Sequence, residues 1–374
     1  MPKTNVTYVL CNIGGISQYV WIADAIDKNL IQLSFIFLDK TTDTLKSILS
    51  EKGFSCHQLS VNTKKDIPKA IYQAVRIFKT EKTDVVHTHL VDASLVGLSA
   101  ASIAGVRKRI HTRHHADFHH QHYKKGVMLD NLINYLSTEI IVISKNVQTI
   151  LEKKERFHQG KLRLIHHGFR LKDFDAVSSE NITRIKSTYS ISGHPVIGMV
   201  SRYETGKGIL YGILAFEKII REYPDAKLVI ANAFGPDKDA VKSQLSRLPS
   251  GSVIEITYEK DVTALYKCFD ILVHVPVDAT YEAFGQVYIE AMVAAVPVVC
   301  TLSGIAGEYI TDGRNAVVAD YKNEEQIYEG IKKFLNDASF KENIVGQAKK
   351  DVSDIFDFSK IMSELNKCPY FFDY

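Results

Sequence analysis

The sequence predicts an α/β protein made of two doubly wound parallel-sheet domains. Short apolar runs alternate with amphipathic stretches of helical period, and this alternation stops and restarts near the middle of the chain. The 374 residues are also more than a single hydrophobic core usually holds. Repeated strand–helix units require a parallel sheet that is covered by helices on both faces.

The first half contains short runs that are rich in β-branched and aromatic residues, which we interpret as buried parallel strands. They are Thr7–Ile13, Leu33–Leu38, Asp84–His89, Arg109–Thr112, Glu139–Ile143 and Leu162–Ile165. Helical periodicity lies between them, over Ser17–Lys28, Asp66–Lys79, Ala93–Ala104, Gly126–Leu136 and Asn146–Lys154.

The same alternation restarts in the second half. Predicted strands are Val196–Val200, Lys227–Ile230, Val253–Ile256, Ile271–Val275, Val296–Cys300 and Ala316–Val318, and predicted helices include Leu210–Glu222, Val262–Phe269 and Gln286–Ala295. The polar segment Phe174–Ser187 separates the two series, so we predict domains over residues 1–175 and 176–350. Ligands of such sheets bind beyond the carboxyl ends of the strands, which predicts an active site in a cleft between the domains.

Composition narrows the class of protein. The five cysteines are never spaced as C-x-x-C, which argues against a disulfide framework or a cysteine zinc site and favours a reducing cytoplasm. The N-terminus does not resemble a signal peptide, and no run reaches the roughly 18 apolar residues that cross a bilayer. We therefore expect a cytoplasmic protein.

The net charge of +3 hides a difference between the two halves. Residues 1–180 carry 25 Lys and Arg against 17 Asp and Glu, whereas residues 181–374 carry 21 against 26. The excess of positive charge in the first half suits an anionic partner or an anionic membrane surface, although ordinary variation of surface charge explains it as well. We expect no nucleic-acid partner, because no binding motif accompanies the charge and the pI of 8.4 is below that of most dedicated binders.

Two carboxylates flank an apolar segment in YEAFGQVYIEAMVAAVPVV, residues 281–299. Phe284 and Gly285 favour a loop at Glu282 and a helix that starts near Gly285, with Glu290 on the helix. The first amides of that helix, at Gln286 and Val287, would be free to bind an anion. Such an arrangement suits a sugar, a diphosphate and a ribose in a row; two solvated glutamates beside a buried helix fit the spacing equally well.

Two further loops follow predicted strands. GMVSRYETGKG, residues 198–208, places Arg202 and Lys207 where they could clamp a diphosphate, although both residue types are common in surface turns. NIGGIS, residues 12–17, has Gly14 and Gly15 at the end of the first strand, where backbone amides can approach a ligand closely. This loop is not the G-x-G-x-x-G fingerprint, and a plain tight turn requires glycines too.

The segment HTRHHADFHHQH, residues 111–122, holds six histidines in twelve positions. Its i,i+3 and i,i+4 spacings permit a metal site, but it lacks an HExxH pairing, and Asp117 is the only carboxylate in it. A polar loop that contacts an acceptor is the preferred interpretation, and unremarkable surface histidines are the other alternative. Basic residues surround the segment: Arg107, Lys108, Arg109, Arg113, Lys124 and Lys125.

Taken together and in this order, these elements resemble glycosyltransferase family 4, whose members have the GT-B fold. The resemblance covers nearly the whole chain. An E-x7-E element corresponds to Glu282…Glu290, an R-x4-K-G element to Arg202…Lys207-Gly208, and a glycine loop to Gly14-Gly15. Further matches are ISK at 143–145, DGRNAVV at 312–318, and a His-Gly pair at 167–168 where Asn-Gly is more usual.

The resemblance implies two Rossmann-like domains that face each other across a cleft, with the acceptor on the first and a nucleotide sugar on the second. It implies a retaining sugar transfer without a metal ion or a cofactor. It also implies that the last segment, residues 351–374, crosses back to the first domain, with aromatic residues in 370–372 available to anchor it.

The resemblance also assigns residues to the donor. Glu282 would bind the hydroxyls of the donor sugar and Glu290 the ribose, while Arg202 and Lys207 would neutralise the diphosphate. Further donor contacts are expected at Gly15, Tyr258, Leu265, Phe284, Gly285, Gln286 and Val287.

A T-x-H element at the end of a first-domain strand corresponds to Thr112-Arg113-His114, so His114 is expected to contact the sugar at the reaction centre, with His115 as the competing choice. Together with Glu282, Arg202 and Lys207, His114 makes up the predicted catalytic set. The predicted acceptor contacts are Gly14, Arg113, His115 and His119, and we expect no metal ligand.

The function that follows is transfer of a sugar to a glycan or a lipid-linked acceptor, by a cytoplasmic enzyme that contacts the inner face of a membrane peripherally. One alternative is a metal-dependent hydrolase centred on the histidines of 111–122. A second is a protein that binds nucleotide sugars without turnover.

Overall fold

Two parallel sheets organise the computed structural model, which describes residues 3–11, 16–39 and 43–367. The described residues separate into two compact units. The first contains those up to Phe169 together with Phe358–Lys367, and the second is Arg170–Asp357. Each unit has its own sheet and its own buried core, as the restart of the strand–helix pattern predicts.

The first unit contains seven parallel strands. They are β1 Thr4–Leu10, β2 Ile31–Phe37, β3 Ser55–Gln58, β4 Val85–His89, β5 Lys108–Arg113, β6 Glu139–Val142 and β7 Leu162–Leu164. Their order in the sheet is β3-β2-β1-β4-β5-β6-β7. The order reverses between β1 and β4, and this reversal is where doubly wound sheets open a crevice for ligands.

Helices cover both faces of the first sheet. They are α1 Ile16–Ala25, α2 Asp43–Glu51, α3 Ile67–Thr80, α4 Val91–Ala104, α5 Phe118–His122, α6 Lys124–Leu136 and α7 Lys145–Lys154. Residues of α1 and α2 pack on one face with Tyr8 and Phe35, whereas residues of α3 and α4 pack on the other face with Val9 and Val86. Because alternate residues of a strand point to opposite faces, both halves of each strand pattern are apolar.

The second unit contains six parallel strands. They are β8 Val196–Val200, β9 Lys227–Ala231, β10 Val253–Ile256, β11 Ile271–His274, β12 Val298–Cys300 and β13 Val317–Val318. Their order is β10-β9-β8-β11-β12-β13, so this sheet repeats the arrangement of the first and reverses between β8 and β11.

The helices of the second unit are α8 Lys172–Asp175, α9 Ser179–Thr188, α10 Ile209–Glu222, α11 Lys238–Leu245, α12 Val262–Tyr266, α13 Gln286–Val293, α14 Ala306–Tyr309, α15 Glu324–Asn336 and α16 Ala338–Phe356. The last helix of the described chain, α17 Phe358–Lys367, belongs to the first unit. Short 3-10 turns lie at Lys64–Asp66, Gln159–Lys161 and Thr205–Lys207.

All twelve strand patterns of the sequence correspond to strands, with ends that differ by up to three residues. The thirteenth strand, β3, is absent from the prediction. Its residues, Ser55–Gln58, lie at the edge of the first sheet and are exposed or only partly buried. An edge strand that buries so little carries no apolar run, so periodicity could not reveal it.

The unit boundaries differ from those drawn on the sequence, at 175/176 and 350/351. The polar segment Phe174–Ser187 is not a linker, because it contains most of α9, and both α8 and α9 pack against α12 of the second unit. Residue 351 lies inside α16, whose last residue, Phe356, packs its ring on Phe284. Of the described residues in 351–374, only those of α17 join the first core, through Ile361 and Met362. Residues 370–372 lie outside the described part of the chain.

Candidate active site

Two loops meet at the carboxyl ends of β8 and β11, the point where the second sheet reverses its strand order. The backbone N–H of Val277 donates to the carbonyl of Gly206 over 3.0 Å. A Cβ at Gly206 would lie 1.7 Å from the Tyr281 ring, and one at Gly208, where φ is +71°, would lie 1.7 Å from the Val275 carbonyl oxygen. Both glycines are therefore needed for the close approach of these loops.

The contact between the loops brings together a cation and an anion. The ammonium Nζ of Lys207 donates to Oε1 of Glu282 over 2.7 Å, and Nε2 of His274 lies 3.1 Å from the same oxygen. Burial alone would raise the pKa of Glu282, but the charge of Lys207 and the hydrogen bond with His274 lower it to about 2. Glu282 is therefore an anion at neutral pH, although it is almost completely buried.

Sequence reasoning missed His274, the last residue of β11. A histidine at the end of an otherwise apolar strand pattern, at the edge where ligands of such sheets bind, is the signal that could have identified it. In the structure His274 is buried and packs edge-on against the ring of Tyr288, with ring centroids 4.7 Å apart. It supports the carboxylate of Glu282 from the side of the core.

Arg202 lies in the same loop as Lys207 but is much more exposed. Its guanidinium is 2.8 Å from Oε1 of Glu204, and the hydroxyl of Tyr281 donates to the other oxygen, Oε2, over 3.0 Å. Burial and the Glu204 carboxylate raise the pKa of Tyr281, so its hydroxyl stays protonated. Arg202 thus presents a positive charge to solvent beside the Lys207–Glu282 pair.

The helix α13 begins at Gln286, as predicted. Gly285 precedes it with φ +91°, and a Cβ at Gly285 would lie 2.6 Å from the Tyr288 ring. The first amides of a helix have no acceptor within the helix, so those of Gln286 and Val287 can donate to an anion.

Glu290 lies about one turn further along α13. Its carboxylate accepts a hydrogen bond of 2.8 Å from the hydroxyl of Tyr266. Burial raises the pKa of Glu290, and the bond from Tyr266 opposes this. Glu282 lies in the loop before α13 and Glu290 lies on the helix, so the first amides of α13 come between the two carboxylates in the sequence.

A second group of polar side chains lies at the carboxyl edge of the first sheet. His89 ends β4, His114 directly follows β5, and His167 lies beyond β7. Nδ1 of His89 is 2.9 Å from Nε2 of His114, and the rings of His114 and His167 stack with centroids 5.4 Å apart. Nδ1 of His167 is in turn 2.8 Å from the side-chain amide of Gln18 on α1.

Burial keeps these three histidines neutral, and it does the same for His87, which lies two residues before His89 on β4. It lowers the pKa of His87 to about 3 and that of His167 to about 4, and together with the neighbouring histidines it lowers the pKa values of His89 and His114 well below their usual value of 6.5. His114 is the partly exposed member beside the buried His89. The group can therefore offer a neutral imidazole to a ligand without a positive charge.

Two family models match the chain. The model described as Glycosyltransferase Family 4 matches residues 51–173, and the model described as Glycosyl transferases group 1 matches residues 181–351. The group 1 model falls within the second unit, and the Family 4 model covers most of the first unit and ends four residues beyond Phe169. Together they span most of the chain. The protein belongs to glycosyltransferase family 4.

Named relatives agree with this family. The uncharacterized glycosyltransferase MJ1607 of Methanocaldococcus jannaschii is 29% identical over 298 residues, which are 77% of this chain and 75% of that protein. The capsular polysaccharide biosynthesis glycosyltransferase CapM of Staphylococcus aureus is 24% identical over 304 residues, 79% of each chain. This protein is accordingly an enzyme of the glycosyltransferase class.

Solved structures show the fold. The Anabaena protein Alr3699/HepE, crystallised in complex with UDP and glucose, superposes with a TM-score of 0.82 at 18% identity over 97% of this chain and 98% of that one. The two Rossmann-like units of this glycosyltransferase therefore form a GT-B fold, as predicted. In the described part of the chain, no helix combines the length and the apolar character needed to span a membrane.

Several predicted donor contacts of this glycosyltransferase lie in different surroundings. Tyr258 is 74% exposed in the loop after β10 and can meet a ligand. Leu265 on α12 is only 1% exposed, so its side chain packs in the core and has no surface for a base. Phe284 likewise buries its ring, against Phe356, and its carbonyl accepts a hydrogen bond from the backbone N–H of Ile305. Gly14 and Gly15 lie outside the described residues.

Three histidines of residues 111–122 lie against two buried carboxylates, Asp130 and Glu155. Asp130 on α6 lies 2.7 Å from Nδ1 of His119 and 3.3 Å from Nε2 of His115. His120 lies 3.2 Å from a carboxylate oxygen of Glu155. His119 and His120 also lie in the short helix α5 rather than in the predicted loop.

Arg113 was predicted to contact the acceptor, but its side chain is completely buried. Its guanidinium lies 3.0 Å from Asp130 and 2.6 Å from Glu155, and neither carboxylate is exposed. A charge that is enclosed and paired in this way holds structure together, because removing a partner would leave an uncompensated buried charge. We therefore assign Arg113 to supporting the loop that follows β5.

A metal ion could be held in this group only by His115, His119 and Asp130, whose ligand atoms lie within 4.8 Å of one another among the described residues. However, the Arg113 guanidinium donates to Oδ2 of Asp130 over 3.1 Å, and its other terminal nitrogen lies 3.0 Å from Oδ1. A cation there would lie beside a fixed positive charge. His115, His119 and Asp130 therefore fit a cluster held together by hydrogen bonds and ion pairs better than they fit a metal site.

Proposed function

We propose that this glycosyltransferase transfers a sugar from a nucleoside diphosphate sugar to a glycan or a lipid-linked acceptor, with retention of the anomeric configuration and without a metal ion. The observation that carries this proposal is the Lys207–Glu282 pair, which lies where the strand order of the second sheet reverses. The hydroxyls of a sugar and of a ribose need hydrogen-bond acceptors, and a diphosphate needs cations. This edge of the sheet supplies both.

Each residue has a distinct role in the proposal. Arg202, Lys207 and the first amides of α13 would bind the diphosphate, whose negative charge grows as the bond to the sugar breaks. Glu282 would accept hydrogen bonds from hydroxyls of the donor sugar. Glu290 would do the same for the ribose, and Tyr258 offers an exposed ring to the base.

In the proposed reaction, the bond between the anomeric carbon and the phosphate oxygen breaks, and its electron pair stays with the phosphate. The acceptor hydroxyl forms the new bond on the same face of the carbon and loses its proton to the leaving phosphate. The products are the glycosylated acceptor and a nucleoside diphosphate, and no protein nucleophile is needed. His114 would form a hydrogen bond with the sugar at this centre.

The nature of the acceptor is supported by a surface of the first unit. On α6 the side chains of Met128, Leu132 and Tyr135 are exposed at i, i+4 and i+7, with Lys125 one turn before them, and Phe118 is exposed on α5. We call these five residues the α6 face. An apolar stripe with flanking lysines suits the headgroup region of an anionic membrane, where a lipid-linked acceptor would lie.

A binding screen followed by a turnover assay tests the proposal. The thermal midpoint of the protein is measured with UDP, GDP, ADP and their sugars, because a ligand of the folded state raises it by mass action. The stabilising donor is then incubated with candidate glycan and lipid-linked acceptors, and release of the nucleoside diphosphate and the anomeric configuration of the product are measured. A product of inverted anomeric configuration would contradict retention. Thermal stabilisation by a donor, with no nucleoside diphosphate released in the presence of any acceptor, would favour a protein that binds nucleotide sugars without turnover.

A further inference from the structure

Two histidines from neighbouring strands form a direct hydrogen bond at the carboxyl edge of the first sheet. His89 is the last residue of β4, and His114 follows the last residue of β5, which pairs with β4 in parallel. The bond joins Nδ1 of His89 to Nε2 of His114 over 2.9 Å. Because each neutral imidazole has one donor and one acceptor nitrogen, only one of these two atoms carries a proton.

His89 cannot itself reach a ligand. It is buried, its ring stacks on that of Tyr8 with centroids 5.5 Å apart, and the ring of Tyr19 meets it edge-on at 5.2 Å. Leu90, directly after His89, has the unusual backbone angle φ +68°. Such a conformation persists only where the surrounding structure imposes it. The position of the His89 ring is therefore fixed by its neighbours.

The other ring nitrogen of His89 decides which of the two histidines donates. Nε2 of His89 is buried and has no hydrogen-bond partner among the described residues. If His114 donated, the proton of His89 would lie on this Nε2 as an unpaired buried N–H, which is rare in proteins. If His89 donates through Nδ1, its Nε2 keeps only an unpaired lone pair, so this second arrangement is favoured.

We propose that His89 is a positioning residue that fixes His114 as the Nδ1–H tautomer. His114 then presents a neutral N–H donor, and not an acceptor, to its ligand. The stacked ring of His167, which Gln18 holds in place, fixes the plane in which that donor points. The identity of the ligand as a sugar oxygen rests on the proposed function, whereas the tautomer does not.

The assigned tautomer determines what His114 can do in the proposed sugar transfer. A neutral N–H donor binds a hydroxyl or carbonyl oxygen of the sugar through its lone pair and does not remove a proton from it. Burial also holds the pKa of His114 well below its usual value, so the imidazole does not become a cation at neutral pH. His114 is accordingly a hydrogen-bond donor to the donor sugar rather than a general base.

The tautomer can be measured without any substrate. In protein labelled with ¹⁵N-histidine, two-bond proton–nitrogen correlations distinguish the Nδ1–H and Nε2–H forms. The signals of His114 are identified by their loss in His114→Asn. We expect the Nδ1–H pattern in the wild-type protein between pH 6.5 and pH 8, and an Nε2–H pattern in wild type would overturn the proposal.

Variants of His89 test the cause. His89→Leu removes the donor, so His114 should shift toward the Nε2–H form that free imidazole side chains prefer, whereas His89→Asn keeps an N–H donor and should retain the wild-type pattern. His57→Asn, at the edge strand β3, is the control and should leave the His114 signals unchanged. An unchanged His114 pattern in a folded His89→Leu protein would also overturn the proposal.

A kinetic readout separates this inference from the function it rests on. With the donor that the thermal-shift screen identifies, kcat/KM should fall about tenfold in His89→Leu, which is the contribution of one neutral hydrogen bond. Most of that loss should be recovered in His89→Asn. A correct tautomer with unchanged kinetics in both variants would refute only the contact between His114 and the sugar. A wrong tautomer would refute the role of His89 whatever the enzyme transfers.

Discussion

The ammonium of Lys207 and the carboxylate of Glu282 lie 2.7 Å apart although 75 residues separate them in the chain. The pair forms because the loop after β8 and the loop after β11 leave the sheet side by side. Both side chains are largely buried, so their attraction is screened less than that of a surface pair. A diphosphate that binds here must draw Lys207 toward itself and leave Glu282 to other hydrogen-bond donors, such as sugar hydroxyls.

Lys207→Ala tests the cation of this pair. If Lys207 stabilises the charge that develops on the leaving diphosphate, kcat should fall by about 100- to 1000-fold. Lys218→Ala removes a partly exposed lysine of the same unit that pairs with Glu325, and it should keep near wild-type turnover. Steady-state kinetics with the donor found by thermal shift measure both. Wild-type turnover in Lys207→Ala would contradict its assigned role.

Substitution of Glu282 tests the anion. Glu282→Ala should abolish measurable transfer, and Glu282→Gln should reduce kcat by about 100-fold, because an amide accepts hydrogen bonds from hydroxyls more weakly than a carboxylate does. The circular dichroism spectrum should remain that of the wild type in Glu282→Gln, which preserves the volume. A folded Glu282→Ala enzyme with normal kcat would show that the carboxylate does not contact the donor.

The buried histidines of the first unit predict loss of stability in mild acid. Unfolded histidines bind protons near pH 6.5, but in the folded state burial lowers the pKa of His87 to about 3 and that of His167 to about 4. Between pH 6.5 and pH 4 the unfolded state therefore binds more protons, so the free energy of unfolding must fall as the pH falls.

Fluorescence of Trp21, the one tryptophan of the sequence, follows this unit because its ring packs on Phe358. We expect the midpoint of urea unfolding to decrease steadily from pH 7 to pH 5. His87→Gln should flatten this decrease, whereas the exposed His158→Gln should not. A midpoint that does not change over this range would refute the neutral state of the buried histidines.

The α6 face predicts binding to anionic vesicles. Met128→Ser with Tyr135→Ser should lower the partition coefficient onto phosphatidylglycerol vesicles by about tenfold or more, because two apolar side chains no longer enter the headgroup region. Lys125→Gln should lower it about fivefold and only at low salt. Cosedimentation measures both effects. The control is Tyr72→Ser, an exposed tyrosine on α3; an equal loss in this control, or equal binding to neutral vesicles, would contradict the assignment.

Removal of metal ions tests the histidine cluster. Because the positive charge of the Arg113 guanidinium lies within 3.1 Å of both oxygens of Asp130, we expect activity after extensive dialysis against EDTA to stay within about twofold of the untreated enzyme. Metal analysis of the purified protein should find no stoichiometric zinc. A large loss that added zinc restores, and that His119→Ala abolishes, would establish a metal site at His115, His119 and Asp130 and revive the alternative of a hydrolase.

Much of the candidate site could be predicted because its signals are local. Gly285 before an apolar helical run marks the start of α13, and Lys207 with two flanking glycines marks a tight loop after a strand. His274 was missed because its meaning depends on Glu282, which reaches it only in the folded unit. The burial of Leu265 and Arg113 could not be predicted for the same reason, since residue type does not reveal burial.

The sequence by itself determined the alternation of strands and helices, the two-unit architecture and the loops that carry Arg202, Lys207 and Glu282, because each depends on patterns over a few neighbouring residues. Only the tertiary structure decided which groups meet. The strand orders place β8 beside β11 and β4 beside β5, and so pair Lys207 with Glu282 and His89 with His114. The charge and tautomer of a buried group depend on these distant partners, and a local pattern cannot specify them.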